Sequence, residues 1–225
     1  MELSIENDIQ ISGDAVNEGG TASIFRGFLK SAKLISSYGP IPIAIKIIKV
    51  EASNESEQRE SFLYEIAIMS SLPQKTPYLI TFIGYCNSPM TIVMKYHPCN
   101  IKELITAQKE GVDYSICLKM CHDISAGMHH LHASGIIHLD LKPRKFCVYR
   151  LKTINALCPY LDNVLIDLKS DRSFNCVICD FGFANFINES GSDRTVASGL
   201  RVPKTNGISV RYAAPEVSFC TRPIA

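Results

Sequence analysis

The chain has 225 residues, 46% of them hydrophobic, with 23 lysines and arginines against 22 acidic residues and a net charge of +1. That is enough chain for one or two compact lobes, and a charge so near neutral gives no reason to expect nucleic acid or an anionic membrane as partner. No apolar run reaches membrane-spanning length, and the N-terminus carries charges where a signal peptide needs its apolar region, so a cytoplasmic location is expected.

In chain order, residues 9–27 contain Val16-Asn-Glu-Gly-Gly-Thr-Ala-Ser-Ile-Phe-Arg-Gly, which reads as a glycine-bearing hairpin. A polar connector is expected over 31–40, followed by a β-branched run over 41–49 that predicts a strand. Over 56–72, Phe62, Ile66 and Met69 recur at helical spacing with Glu65 among them. Residues 113–132 place Ile116, Met120, Ile124, Met128 and Leu131 on one helical face, and Gly135 is the expected stop. His129, His130 and His132 fall at the end of that helix, where solvation or packing against the turn is expected. The nine scattered cysteines fit reduced thiols. Cys176 and Cys179 have a zinc-like spacing but no second pair nearby, and their segment reads as a buried strand.

The stretch 136–182 carries the chemistry. It opens with Ile136-Ile-His-Leu-Asp-Leu-Lys-Pro-Arg, passes Asn163-Val-Leu-Ile-Asp and closes with Asp180-Phe-Gly. This order resembles the catalytic and magnesium-binding motifs of protein kinases. Phosphoryl transfer asks little covalent work of a protein, so its groups must converge on one γ-phosphate. The resemblance implies that Asp140 orients the incoming hydroxyl and accepts its proton, that Lys142 sits beside the phosphate, and that Asn163 and Asp180 hold Mg2+ through hard oxygens.

The same resemblance assigns the earlier segments. Set against the family's Gly-x-Gly-x-x-Gly-x-Val loop, Asn17, Gly19, Ala22 and Ile24 take the positions of the first, second and third glycine and the valine. Lys46 ends an Ile-Ala-Ile-Lys match to Val-Ala-Ile-Lys, which places Ala44 at the nucleotide and Lys46 on its α- and β-phosphates. Glu65 matches the αC glutamate that pairs with such a lysine. Segments 77–86 and 91–96 resemble the strands leading to the hinge, with Met94 as gatekeeper and the backbone from Lys95 to His97 facing adenine. Met69, Phe82, His138 and Phe181 match the hydrophobic spine. Residues 180–216 resemble an activation segment ending in Ala214-Pro215-Glu216, in which Ser190, Ser192, Thr195 and Ser198 are either phosphorylation sites or a solvated loop.

Lys142 two residues after Asp140, together with Ser209, resembles the serine/threonine type. Phe82-Ile-Gly-Tyr-Cys and Val210-Arg-Tyr-Ala-Ala-Pro-Glu resemble the tyrosine-kinase-like branch. The implied fold is α+β and two-lobed. Its N-lobe, 9–96, would be a five-stranded antiparallel sheet with helix αC, and its helical C-lobe, 97–225, incomplete. ATP, Mg2+ and a protein substrate are the implied partners.

There are departures. Leu139 stands where the family has the arginine that pairs with a phosphorylated loop. Residues 145–162 are an insertion inside the catalytic loop, where about 1 Å of misplacement costs on the order of a hundredfold in rate. Residues 217–225 match no family segment, and the helices that complete a C-lobe are expected to be absent. Retained introns would account for both segments, with coincidence as the alternative. Arg144-Lys145 and Val217-Ser218 can each be encoded with the donor GTAAGT, and Leu161-Asp162 with an acceptor AG. A non-catalytic pseudokinase or scaffold stays open as the competing reading.

Overall fold

A computed structural model describes residues 1–74, 76–106, 112–141 and 163–186. The N-terminal half is an antiparallel sheet of β1 (Ile9–Glu18), β2 (Ala22–Leu29), β3 (Pro42–Ile48), β4 (Phe82–Asn87) and β5 (Met90–Lys95), in the order β1-β2-β3-β5-β4. A central strand is covered on both faces, which is why the run around Lys46 is so apolar. Ile43 and Ile45 are fully buried in a cluster with Ile9, Leu29, Leu34, Ile83 and Val93. The two-residue period of a strand then puts Ala44 and Lys46 together on the opposite face.

Residues 31–40 are not the polar connector that the sequence suggests. They contain helix α2 (Ala32–Tyr38), whose Leu34 is buried and whose Ile35 and Tyr38 pack on the same cluster. Three apolar side chains on one turn-spaced face outweigh the polar composition around them. Gly39, at φ 80°, ends the helix by donating its N–H to the Ile35 carbonyl at 2.8 Å.

The open edge of β4 is covered by the N-terminal residues. Leu3 N–H donates to Tyr85 O at 2.8 Å and Tyr85 N–H to Met1 O at 3.1 Å, ahead of the one-turn helix α1 (Ile5–Asp8). Gly84 permits this approach, since a Cβ there would lie 2.5 Å from Met1 O. On the other side of the sheet lies α3 (Glu55–Ser71), with Phe62, Ile66 and Met69 buried as their spacing predicts.

The second half contains β6 (Cys99–Asn100), α4 (Ile101–Thr106), α5 (Tyr114–Ala133), β7 (Ile136–Ile137), β8 (Val164–Leu168), β9 (Phe174–Ile178) and β10 (Asn185–Phe186). Its small sheets run β6-β8-β9 and β10-β7. Helix α5 buries Met120, Asp123, Gly127 and Leu131. Asp123, fully buried, accepts from Lys119 Nζ at 2.8 Å and from the Cys176 N–H at 3.1 Å, fastening the helix to β9. Cys176 sits inside β9, and burial, with Asp123 adding to it, pushes its thiol up to about 12.

The two halves form an α+β, two-lobed molecule joined by a backbone seam. Ile80 N–H donates to Ile178 O and Ile178 N–H to Tyr78 O, both at 2.9 Å. One apolar cluster crosses that seam, running from Phe62 and Met69 through Phe82 to Leu131, Ile136 and Phe181. Among the described residues, no helix is long and apolar enough to cross a membrane. Lys142, the insertion 145–162, Ser190 to Ser198, Ser209, Ala214 to Glu216 and the tail 217–225 lie outside the described residues.

Gly127 sets the distance between α5 and β9, because a Cβ there would meet Ile178 Cδ1 at 2.8 Å and Tyr78 O at 3.0 Å. Gly127→Val is expected to destabilise the chain by roughly 1–3 kcal/mol in urea unfolding. Gly20→Ala, with nothing within 4 Å of where its methyl would stand, is expected to leave the midpoint within the error of the measurement.

Candidate active site

Lys46 on β3 and Glu65 on α3 meet across the inner face of the sheet, Nζ to Oε1 at 2.7 Å. Asp180 Oδ1 lies 3.6 Å from the same nitrogen. Burial by itself would lower the Lys46 pKa, but the carboxylates of Glu65 and Asp180 overcome it and hold the ammonium above its ordinary value. For Glu65 burial dominates and pushes the carboxyl above the usual range, against the pull of Lys46. Pairs this deeply set fix geometry more than they add stability.

The cluster opens into a cavity of ≈ 960 Å³ lined by Asn17, Gly19, Ala22, Ile24, Lys46, Glu65, Asp180 and Gly182. Its roof is the turn between β1 and β2, where Asn17 pairs with Ile24 and Gly19 N–H donates to Ala22 O at 2.9 Å.

A second group assembles beside Asp180. The His138 ring is fully buried, 5.2 Å from that of Phe181. Its Nδ1 accepts the Asp140 N–H at 3.3 Å, which leaves Nε2 to donate to Cys179 O at 3.0 Å. Burial lowers its pKa and keeps the imidazole neutral, as this tautomer requires. Asn163 Nδ2 donates to Asp140 Oδ2 at 2.9 Å and to its carbonyl at 3.1 Å. The Cys179 N–H donates to Asn163 O at 2.9 Å, so the residue preceding Asp180 is tied to both partners of Asp140. Asn163 spends its amide donors on Asp140 and keeps a hard oxygen, which with the Asp180 carboxylate is the donor type that Mg2+ takes.

Three residues here are left-handed, Leu139 at φ 61°, Asn163 at φ 67° and Asp180 at φ 63°. Asn and Asp tolerate that region, whereas for a leucine it is strained. Met69, Phe82, His138 and Phe181, expected as a stack, are all buried at 5% exposure or less.

The expected residues divide between places. Asn17, Gly19, Ala22, Ile24, Lys46, Glu65 and Asp180 share the large cavity, whereas Asp140 and Asn163 are bonded to each other beyond its lining. Ala44 and Met94 are cross-strand partners on the sheet. Lys95 and His97 line a separate cavity of ≈ 270 Å³ with Asp167 and Lys169. There Asp167 receives Lys95 at 2.8 Å and Lys169 at 2.6 Å, and His97 Nδ1 lies 3.4 Å away. Burial would raise the Asp167 carboxyl, but the hydrogen bonds from Lys169 and Lys95 hold it below its ordinary value.

Sequence reasoning missed this network, having assigned only the backbone from Lys95 to His97. The signal was Asp167 near the end of β8 with Lys169 just past it. It also missed the bond from the Tyr64 hydroxyl to Asn185 Oδ1, between side chains distant in the chain.

The chain matches the family model for protein tyrosine and serine/threonine kinases over residues 11–222. It is similar to the dual specificity protein kinase pyk3 of Dictyostelium discoideum, 27% identical over 91% of this chain and 12% of that protein. A probable serine/threonine-protein kinase of the same organism is 30% identical over 76% of this chain and 11% of its own length. The dual specificity protein kinase shkB, also of that organism, is 25% identical over 94% and 27%. The chain thus spans well under a third of the length of these relatives.

Two expectations follow from the charges. Lys46→Met leaves Glu65 buried without its cation and is expected to cost about 3 kcal/mol in urea unfolding. The folded Glu65 carboxyl then lies further above its unfolded value, so the deficit is small in acid and grows as pH rises through the raised folded value. His97 is pushed down to about 4 from 6.5, first by burial and then by Lys95 and Lys169, against Asp167. Between those values the unfolded chain holds a proton that the folded chain lacks. Stability is therefore expected to fall as pH drops from 6.5 toward 4, by up to about 3 kcal/mol, and His97→Gln to flatten that acid limb.

Proposed function

The chain belongs to the protein tyrosine and serine/threonine kinase family, and from that premise we propose that it is an ATP-dependent kinase transferring the γ-phosphate to serine and threonine hydroxyls of proteins. The observation that carries the reading is the charge cluster in the large cavity, with Lys46 Nζ held 2.7 Å from Glu65 and 3.6 Å from Asp180 beneath the β1–β2 turn. An ammonium held there by a carboxylate on another element is placed to receive phosphate oxygens without moving.

In this reading Lys46 binds the α- and β-phosphates and Glu65 keeps it aimed. The backbone from Asn17 through Gly19 to Ala22 closes over the phosphates, with Ile24 behind it. Ala44 and Met94 flank adenine, and the backbone from Lys95 to His97 hydrogen-bonds its edge. Asn163 and Asp180 hold Mg2+, which neutralises phosphate charge when bound. Asp140, oriented by Asn163, accepts the hydroxyl proton as the new oxygen–phosphorus bond forms and the bond to ADP breaks. Lys142 steadies the transferring group. The lobes divide at 96–97, with 145–162 and 217–225 as additions to the kinase core.

Serine and threonine are favoured by Lys142 close after Asp140, while the dual-specificity relatives make tyrosine the acceptor to compare. Leu139 in place of the family's arginine, together with the insertion 145–162, supports the second reading, a scaffold that transfers no phosphate, with or without bound nucleotide.

With Mg·ATP, the chain is expected to gain thermal stability and to label casein on serine and threonine, read by mass spectrometry. Asp140→Asn should keep nucleotide affinity within about threefold and lose transfer by roughly 10²-fold or more. Stabilisation without labelling, in both forms alike, would favour the scaffold. No stabilisation at all would refute the enzyme and leave a scaffold that takes no nucleotide.

A further inference from the structure

We propose that Tyr64 is a positioning residue, its hydroxyl tethering α3 to β10 so that Glu65 stays on Lys46. The proposal rests on the kinase reading above and adds a device to it.

Tyr64 immediately precedes Glu65 on α3. Its hydroxyl donates to Asn185 Oδ1 and accepts the Phe186 N–H at 3.4 Å. Its ring stands edge-on to that of Phe186, centroids 6.2 Å apart at 86°. Asn185, only 5% exposed, lies five residues beyond Asp180. Asn185 and Phe186 pair in turn with Ile137 and Ile136 of β7, the strand that runs into His138 and Asp140. One oxygen therefore links the helix carrying Glu65, the segment following Asp180 and, through β7, the approach to Asp140.

The apolar anchors of α3 cannot do this. Phe62, Ile66 and Met69 press the helix onto the sheet and the shared cluster, and apolar burial is non-directional. It resists lifting of the helix better than rotation about its axis or a slide along it. A rotation is what would carry Glu65 off Lys46. A hydrogen bond from the adjacent residue to a buried, strand-fixed amide is directional and opposes that motion. Burial raises the Tyr64 pKa, against the bond from Phe186, so the hydroxyl keeps the proton that it donates. One such bond corresponds to a shift of roughly three- to tenfold in a two-state equilibrium. A nucleotide that needs the paired state binds more weakly by the fraction lost.

The test is a double-mutant cycle of Tyr64→Phe and Asn185→Ala, read by calorimetric affinity for Mg·ADP, by melting temperature and by amide exchange at Phe186. Tyr64→Phe keeps the ring contact and removes one oxygen. The expected result is a roughly three- to tenfold loss of affinity, faster exchange of the Phe186 amide, and a melting temperature within a degree or two of wild type. The double variant should bind no more weakly than the worse single variant, because both remove the same link. Wild-type affinity in Tyr64→Phe, or losses that simply add, would overturn the proposal alone. A wild-type chain that does not bind Mg·ADP would overturn the kinase reading, and this proposal with it.

Discussion

A half-buried ammonium facing a buried carboxylate is the constraint around which this chain is arranged. Neither Lys46 nor Glu65 can be taken from water without the other, and one sits on a central strand while its partner sits on a helix 19 residues later. The register of β3 against β2 and β5 and the rotational setting of α3 must therefore both be right before the pair can close. Much of the surrounding apolar packing serves that end. Ile43 and Ile45 fill one side of β3 so that Lys46 emerges on the other, and Phe62, Ile66 and Met69 press α3 onto the sheet that carries it.

The second cluster obeys a different logic, in which backbone groups dominate. Asp140 and Asn163 are set beside Asp180 by the backbone of Cys179, whose N–H donates to the Asn163 carbonyl and whose carbonyl accepts from His138. The cost appears as left-handed backbone at Leu139, Asn163 and Asp180, tolerable at two of these residue types and strained at the third.

What could be read from the letters was whatever had a period or a motif. Helices α3 and α5 and the apolar strands lay in patterns that local sequence carries, whereas the Lys46–Glu65 pair came from the resemblance to kinases. Gly135 marked the stop of α5 and adopts φ 70°. Helix α2 escaped because seven residues, two of them serines, are too short a run to establish a helical period. The Asp167 network and the Tyr64–Asn185 bond escaped for a deeper reason. A polar side chain meeting another far away in the chain leaves no periodicity, and its partner is decided by how the lobes pack. The hinge residues show the boundary well. Lys95 and His97 were identified by position, yet the side chain of Lys95 is committed to Asp167, on the strand following Asn163.

The seam at Ile178 bears on how the molecule can move. Because one residue of β9 is hydrogen-bonded to Tyr78 and Ile80 on either side of Leu79, sliding the lobes past one another would break the pair at once. Rotation about that line would leave it nearly intact. It would instead load the more distant links between the halves, the bond from Tyr64 to Asn185 and the ion pair of Lys95 with Asp167.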